Sequence, residues 1–186
     1  MIGNNKNFNH LKVHTQYSMC EGAIKIDELA DVCKLKKIKC IGLSDSYNLC
    51  GALEFSEKIS KVGTQPIIGT QINLNSLNIF GKISLYAMSE IGYRNLTKLS
   101  SKSYLKNHSM NEPSCNLEDL IENSEDLVLL TGNYKNFFGQ LFYKNKLKDF
   151  EQILNSLKNS FKDRLYIEIQ RHNEHQEKNF ENYLLN

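Results

Sequence analysis

The chain has 186 residues, 40% of them hydrophobic and 24% charged, with a net charge of +2. That is an ordinary balance for one globular domain with a sizeable core, and charge alone leaves no footprint of nucleic-acid binding. The longest apolar runs are only a few residues, too short to span a membrane, and Met1 to Phe8 lack the apolar stretch of a signal peptide.

The first predicted element is a strand holding Leu11 and Val13. Side chains alternate along a strand, so His10, Lys12 and His14 share its other face. Two imidazoles at i and i+2 are half of a metal site, but Lys12 between them is no ligand while protonated. The plainer reading is an edge strand with solvated polar residues. Lys25 to Lys36 reads as a helix, because Ile26, Leu29, Ala30 and Cys33 form one apolar stripe. Cys40 to Ser44 reads as a buried parallel strand, ending in a polar turn, Asp45-Ser46-Tyr47-Asn48. A second helix runs from Gly51 to about Lys61, with Leu53, Phe55 and Ile59 as core candidates and Gly63 closing it. Pro66 to Ile72 is the third strand and Ile79 to Ala87 the fourth.

Ser89 is placed to cap a helix carrying Tyr93, Leu96 and Leu99. Residues 101–115 are polar, contain Pro113 and read as a loop. Asn116 caps a short helix, Leu117 to Asn123. Asp126 to Thr131 is a buried strand followed by Gly132. Leu147, Phe150, Ile153, Leu154, Leu157 and Phe161 mark a long amphipathic helix. Arg164 to Arg171 is the last strand, with Glu168, Gln170 and His172 on one face, and Glu174 to Leu185 is a final helix. Five cysteines, at 20, 33, 40, 50 and 115, show no CxxC pairing. Their odd number points to reduced thiols in a cytoplasm, and Cys33 and Cys40 read as core fillers. His10, His108 and His175 read as surface or hydrogen-bonded histidines.

Alternating strands and helices argue for an α/β fold with a parallel sheet or barrel. In such folds chemistry sits at the carboxyl ends of the strands. His14, Asp45, Gln71, Gly132 and His172 all lie at or just after a predicted strand end.

Six stretches resemble, in order, the N-terminal PHP (polymerase and histidinol phosphatase) domain of bacterial DNA polymerase III alpha subunits. They are Phe8 to Ala23, Leu43 to Phe55, Lys61 to Ile72, Gly92 to Ser100, Leu127 to Gly132 and Arg164 to His172. The resemblance implies a distorted (β/α)7 barrel, incomplete at its C-terminus. It also implies a single PHP domain over residues 1–186 that opens a longer polymerase. In metal-binding members the first strand carries His-x-His, the second ends in Asp-His, and the third carries Glu. Here Lys12 stands for the first His, with His14 kept. Ser46 stands for the His after Asp45, and Gln71 stands for the Glu. His172 matches a later family histidine.

A metal cluster needs several deprotonated ligands. Lys12 adds a positive charge, Gln71 removes a negative one, and Ser46 offers a weak neutral oxygen. At roughly 4 Å and an effective dielectric near 20, each unit of charge interacts at about 4 kcal/mol. Tight metal binding at Lys12, His14, Asp45, Ser46, Gln71 and His172 is therefore not expected, and the six form a vestigial pocket. Lys12 is expected to replace the lost cation beside Asp45 or Glu168.

The resemblance implies a scaffold within the alpha subunit and a docking site for the separate proofreading exonuclease, with DNA met through the full holoenzyme. No cofactor is expected on this stretch, Mg belonging to the polymerase domain outside it, and no membrane partner. The alternative is a metal-dependent phosphoesterase or 3′–5′ exonuclease with a reduced ligand set. A third reading is DNA binding by Lys34, Lys36, Lys37 and Lys39, whose plainer explanation is a solvated helix end favourable to the dipole. An apolar edge is expected near Ile169 and Tyr183-Leu184-Leu185, where the barrel stops short of closing.

Overall fold

The computed structural model describes residues 8–105 and 112–185. Residues 106–111 of the expected loop, His108 among them, lie outside the described residues. The chain divides into two compact units, residues 1–70 and 71–186.

The first unit contains β1 (His10–Val13), α1 (Ile26–Lys36), β2 (Cys40–Ser46), α2 (Ala52–Lys61) and the first half of β3 (Gln65–Ser76). β1 and β2 are parallel, with His10 opposite Ile41 and Val13 opposite Leu43. Gly42 sits where β1 crowds it: a Cβ there would lie 2.4 Å from the Leu11 carbonyl oxygen. The stripe predicted for α1 is the face it buries, and Ile26, Leu29, Ala30 and Cys33 pack with Ile41, Leu43, Phe55 and Ile59. Ile38 N–H donates to the Cys33 carbonyl at 3.0 Å and Lys37 is left-handed at φ 52°, which closes the helix without a glycine. Leu53 departs from expectation, being 80% exposed. Two residues from Phe55 along a helix is about 200° around it, so both cannot face the same core.

β2 runs two residues further than expected. Asp45 and Ser46, read as turn, are the buried end of the strand. Asp and Ser favour turns by bonding nearby backbone; here both side chains find partners far along the chain, so the extended backbone is kept.

The second unit takes up the rest of β3, then β4 (Ile79–Ala87), α3 (Glu90–Leu105), β5 (Ser114–Asn116) and α4 (Leu117–Glu122). β6 (Leu127–Leu130), α5 (Phe137–Tyr143), α6 (Leu147–Phe161), a single 3-10 turn (Lys162–Arg164), β7 (Leu165–Tyr166) and α7 (Glu177–Leu185) follow. β5 lies parallel to β3, with Asn73 opposite Ser114. β6 lies antiparallel to β4, with Tyr86 opposite Val128, and β7 parallel to β6. Where a parallel sheet or barrel was expected the strands pair both ways, and the fold is mixed α/β. The cause is local: β3 continues to Ser76 and turns straight into β4 through Leu77 (φ 53°) and Asn78 (φ 60°). Two consecutive left-handed residues make the tight turn of a hairpin.

The described parts of the expected loop, residues 101–105 and 112–115, also differ from expectation. α3 runs to Leu105, and Ser114–Asn116 form β5. Asn116 does cap α4, its Oδ1 accepting from Asp119 N–H at 2.7 Å. Ser89 Oγ accepts from Gly92 N–H at 3.3 Å at the start of α3. The last predicted strand is reduced to Leu165 and Tyr166, so no strand geometry puts Glu168, Gln170 and His172 on a common face. Arg164 instead donates to the carbonyls of Ser124 (2.6 Å) and Leu127 (2.7 Å), which binds the chain to β6 just where it leaves the ladder. α7 buries Phe180, and its Tyr183 ring lies tilted 4.9 Å from Phe142 and edge-on 5.3 Å from Phe150. Ile167, Ile169 and Leu185 stay exposed, in line with the expected apolar edge, while Tyr183 and Leu184 are half-buried. Among the described residues no helix is long and apolar enough to cross a membrane.

Candidate functional site

The carboxyl end of β2 carries a buried carboxylate held by three hydrogen bonds. Asp45 is wholly buried, and both its oxygens are occupied. Thr15 N–H donates to Oδ1 at 2.6 Å, Thr15 Oγ1 donates to Oδ2 at 2.7 Å, and Ser18 Oγ donates to Oδ1 at 2.6 Å. Thr70 Oγ1 donates to the Asp45 carbonyl at 2.6 Å. A buried carboxylate must be compensated, and here hydroxyls and one amide do it. Lys12, expected to neutralise Asp45 or Glu168, is not what satisfies Asp45. It sits half-buried on β1, two residues before His14.

Ser18 gathers the neighbouring groups. Its Oγ gives its one proton to Asp45, accepts from Ser46 N–H at 3.1 Å, and lies 3.2 Å from His14 Nδ1. Ser46 Oγ donates to Glu21 Oε2, which is 3.9 Å from His14 Nδ1. The structure thus brings His14, Asp45 and Ser46 into one network.

A second network latches the same loop to α2. Tyr17 OH donates to Glu54 Oε2 at 2.7 Å, and Lys58 Nζ lies 2.8 Å from Glu54 and 2.5 Å from Asp27. The hydrogen bond from Lys58, then that from Tyr17, holds the Glu54 carboxyl below its usual range. The same Glu54 contact pushes the Tyr17 hydroxyl up.

Gln71 and His172 belong to the second unit. Gln71 is buried and its Nε2 donates to Ser84 Oγ on β4 at 3.0 Å. His172 is exposed; its N–H donates to Glu177 Oε2 at 2.7 Å and its Nε2 lies 3.3 Å from Gln170 Oε1. Gln170 Oε1 also accepts from Asn133 Nδ2 at 2.9 Å, and Glu168 N–H donates to Thr131 Oγ1 at 3.0 Å. Glu177 holds the 172–174 segment by accepting from both His172 and Glu174 N–H, while its Oε1 is buried and unpartnered among the described residues.

These donor sets do not fit a cluster of divalent cations. The one buried carboxylate at β2 already accepts from three donors. Ser46 spends its proton on Glu21, and Gln71 presents a neutral amide already bonded to Ser84. Among the described residues, no group of three or more His, Cys, Asp or Glu is placed to hold a metal. Thr15, Ser18, Thr70 and Glu21 went unread in the sequence. The available signal was weak: two hydroxyls three residues apart just past a strand, which suggests local backbone bonding rather than a grip on a residue 30 positions on.

A family model described as the PHP domain matches residues 10–172. The DNA polymerase III subunit alpha of Caulobacter vibrioides is 37% identical over 175 residues, covering 89% of this chain and 15% of that protein. That of Rickettsia prowazekii is 35% identical over 176 residues, covering 94% of this chain and 15% of the relative. The chain therefore spans about 15% of the length of these relatives. Among solved structures, an amidohydrolase from Chromobacterium violaceum superposes with a TM-score of 0.52 at 11% identity, covering 78% of this chain and 74% of that one. At that identity the likeness speaks for the fold alone.

Proposed function

Since the chain belongs to the PHP domain family, we propose that it is the N-terminal PHP module of a DNA polymerase III alpha subunit. In this reading residues 1–186 are a single domain of the distorted (β/α)7 type with a degenerate metal site, working in the cytoplasm. It serves as a scaffold for the polymerase and a docking site for the proofreading exonuclease, and DNA is met through the complete holoenzyme. No cofactor is held on this stretch.

The observation that carries the reading is the condition of Asp45. Asp45 is wholly buried and three of its roughly four lone-pair sites already accept strong hydrogen bonds from Thr15 and Ser18, which leaves little for an ion. Lys12, Ser46 and Gln71 stand at the neighbouring family positions and supply no anion. The likeness to alpha subunits over most of the chain supports the replisome setting.

The test combines metal analysis with activity and binding. Purified protein is analysed for Zn, Mn and Mg and assayed on p-nitrophenyl phosphate and on 3′-labelled DNA, then passed through a sizing column with the exonuclease subunit. The expected result is no stoichiometric metal, no hydrolysis, and co-elution with the exonuclease. Stoichiometric metal together with turnover that Asp45→Ala abolishes would overturn the reading in favour of a phosphoesterase or 3′–5′ exonuclease with a reduced ligand set. Hydrolysis-free protein that never co-elutes would remove the docking role.

A further inference from the structure

We propose that the cleft between α7 and the segments following β6 and β7 binds a primary ammonium group carried on a short alkyl chain. The proposal is independent of the polymerase reading, and the cleft lies wholly within the second unit. Its volume is about 210 Å³. One wall is a single face of α7, since Glu177, Phe180, Glu181 and Leu184 fall at i, i+3, i+4 and i+7. Glu168 and Ile169, just past β7, belong to the other wall. Three carboxylates thus line the cleft, and among the described residues no Lys, Arg or His does.

Acidic residues alone do not make a site, and the pointer to a ligand is Glu177. It is 6% exposed. Its Oε2 accepts from His172 N–H at 2.7 Å and from Glu174 N–H at 3.2 Å. Neither of those residues lines the cleft, so Oε1 is the oxygen left to face it. Oε1 is buried and has no hydrogen-bond partner among the described residues. A buried carboxylate oxygen without a donor is costly, so a donor from outside the chain is favoured there. The cations nearby are already engaged. Arg171 Nε lies 3.1 Å from each Glu181 oxygen, and Lys135 lies 2.8 Å from Glu174. Glu168 Oε1 accepts from Gln170 Nε2. Glu168 and Glu181 therefore supply negative field, and Glu177 supplies the open acceptor.

The donor that fits is an ammonium. It brings three N–H groups and, with a pKa of about 10.4, a full positive charge at neutral pH. A water molecule would satisfy Oε1 but add no charge. A divalent metal would need a set of ligands, and among the described residues no group of three or more His, Cys, Asp or Glu is placed to hold one. Ile169, Phe180 and Leu184 offer a bare ion nothing, but they are suited to cover the methylenes behind an ammonium. A free polyamine and the side chain of a lysine on another protein share this chemistry.

The probe is n-butylammonium chloride, titrated into the intact chain at constant ionic strength and followed by carbon-13 NMR of the Ile169 and Leu184 methyl groups. Sodium chloride and n-butanol are run as controls, the second having the same chain without the charge. Spermidine and Nα-acetyl-lysine amide, titrated in the same way, separate the two sources by which binds tighter. The expected result is saturable shifts at both residues with butylammonium and none with either control. Glu177→Gln keeps an acceptor for His172 and Glu174 N–H but removes the charge, and should weaken binding at least about tenfold. Ile169→Ser, at a position 39% exposed and outside any strand, should weaken it less and gives a second reading should Glu177→Gln fail to fold. Circular dichroism verifies the fold of both variants. The proposal is overturned by any of three results: shifts no larger than those of sodium chloride, butanol binding as tightly as butylammonium, or butylammonium binding that neither variant weakens.

Discussion

Thr15 holds Asp45 through two atoms at once: its backbone N–H reaches Oδ1 at 2.6 Å and its hydroxyl reaches Oδ2 at 2.7 Å. This double contact ties the segment after β1 to the end of β2 across 30 residues of sequence. Asp45→Ala would leave Thr15 N–H, Thr15 Oγ1 and Ser18 Oγ as buried donors without an acceptor. Each orphan costs about 1–3 kcal/mol, and some relaxation is expected, so a loss of roughly 3–5 kcal/mol follows. Thr15→Val keeps the shape and the backbone bond and should lose about 1.5–3 kcal/mol, the worth of one hydrogen bond to a charged group. Urea denaturation measures both. An Asp45→Ala variant within about 0.5 kcal/mol of the parent would show that the network contributes nothing.

The same network assigns a tautomer to His14. Ser18 Oγ has one proton, and it goes to Asp45 at 2.6 Å. Toward His14 Nδ1, 3.2 Å away, Ser18 can only accept, so Nδ1 carries the proton in the neutral ring. Nitrogen-15 NMR of labelled histidine should find the neutral His14 ring in the Nδ1–H form. Ser18→Ala should shift it toward the commoner Nε2–H form. Finding Nε2–H in the parent would break the hydrogen-bond assignment.

What was legible in the sequence was mostly what repeats along one element. The α1 stripe, the bounds Ile79–Ala87 of β4, the Asn116 cap and the span of α6 follow from periodicity and capping, which are local. What was hidden depended on distant partners or atypical residues. Leu77 at positive φ gives no warning of a hairpin, since Gly, Asn and Asp are the usual residues there. α5 is short, apolar nearly all round and interrupted by Gly139, so it shows no helical period. Alternation of Ile167 and Ile169 suggests a strand, yet the ladder ends at Tyr166. At the site, the resemblance pointed to Lys12, His14, Asp45, Ser46, Gln71 and His172. That Asp45 is satisfied by Thr15 and Ser18 required the fold, because nothing local in T-Q-Y-S identifies an acceptor 27 or 30 residues away.

Thiol reactivity should divide four of the five cysteines by burial, Cys40 being half-buried between them. Cys20 and Cys50 are exposed, whereas Cys33 and Cys115 are buried. Burial, reinforced by the charge of Asp119, pushes the Cys115 thiol up to about 12, and burial also raises Cys33. The thiolate is the reactive form. At pH 8, Ellman's reagent should modify Cys20 and Cys50 quickly and Cys33 and Cys115 only on unfolding in urea. Because the folded state favours the protonated Cys115, its contribution to stability is full below the ordinary thiol range and falls as pH rises from there toward about 12. Fast modification of Cys115 in the native protein would contradict the burial.

Glu54 should set part of the pH dependence of stability at both ends of the scale. Lys58 and Tyr17 together hold its carboxyl below the usual range. In acid the unfolded chain therefore takes up a proton at Glu54 before the folded chain does. The stabilisation is complete above the ordinary carboxylate value of about 4.3 and is lost as pH falls through the depressed folded value. In alkali the sign reverses, since Glu54 raises the Tyr17 hydroxyl, and Asp27 together with Glu54 raises the Lys58 ammonium. Their contribution is complete below about 10 and is lost as pH rises beyond it. Glu54→Gln removes the titrating carboxyl, the charge that raises Tyr17 and one of the two carboxylates that raise Lys58, while keeping an acceptor for Tyr17 OH. Plotting the urea midpoint against pH should give a parent curve that drops at both ends and a Glu54→Gln curve that is lower at pH 7 and flatter at either side. Parallel curves for the two proteins would mean that the Tyr17–Glu54–Lys58 contacts seen here exert no hold on the folded state in solution.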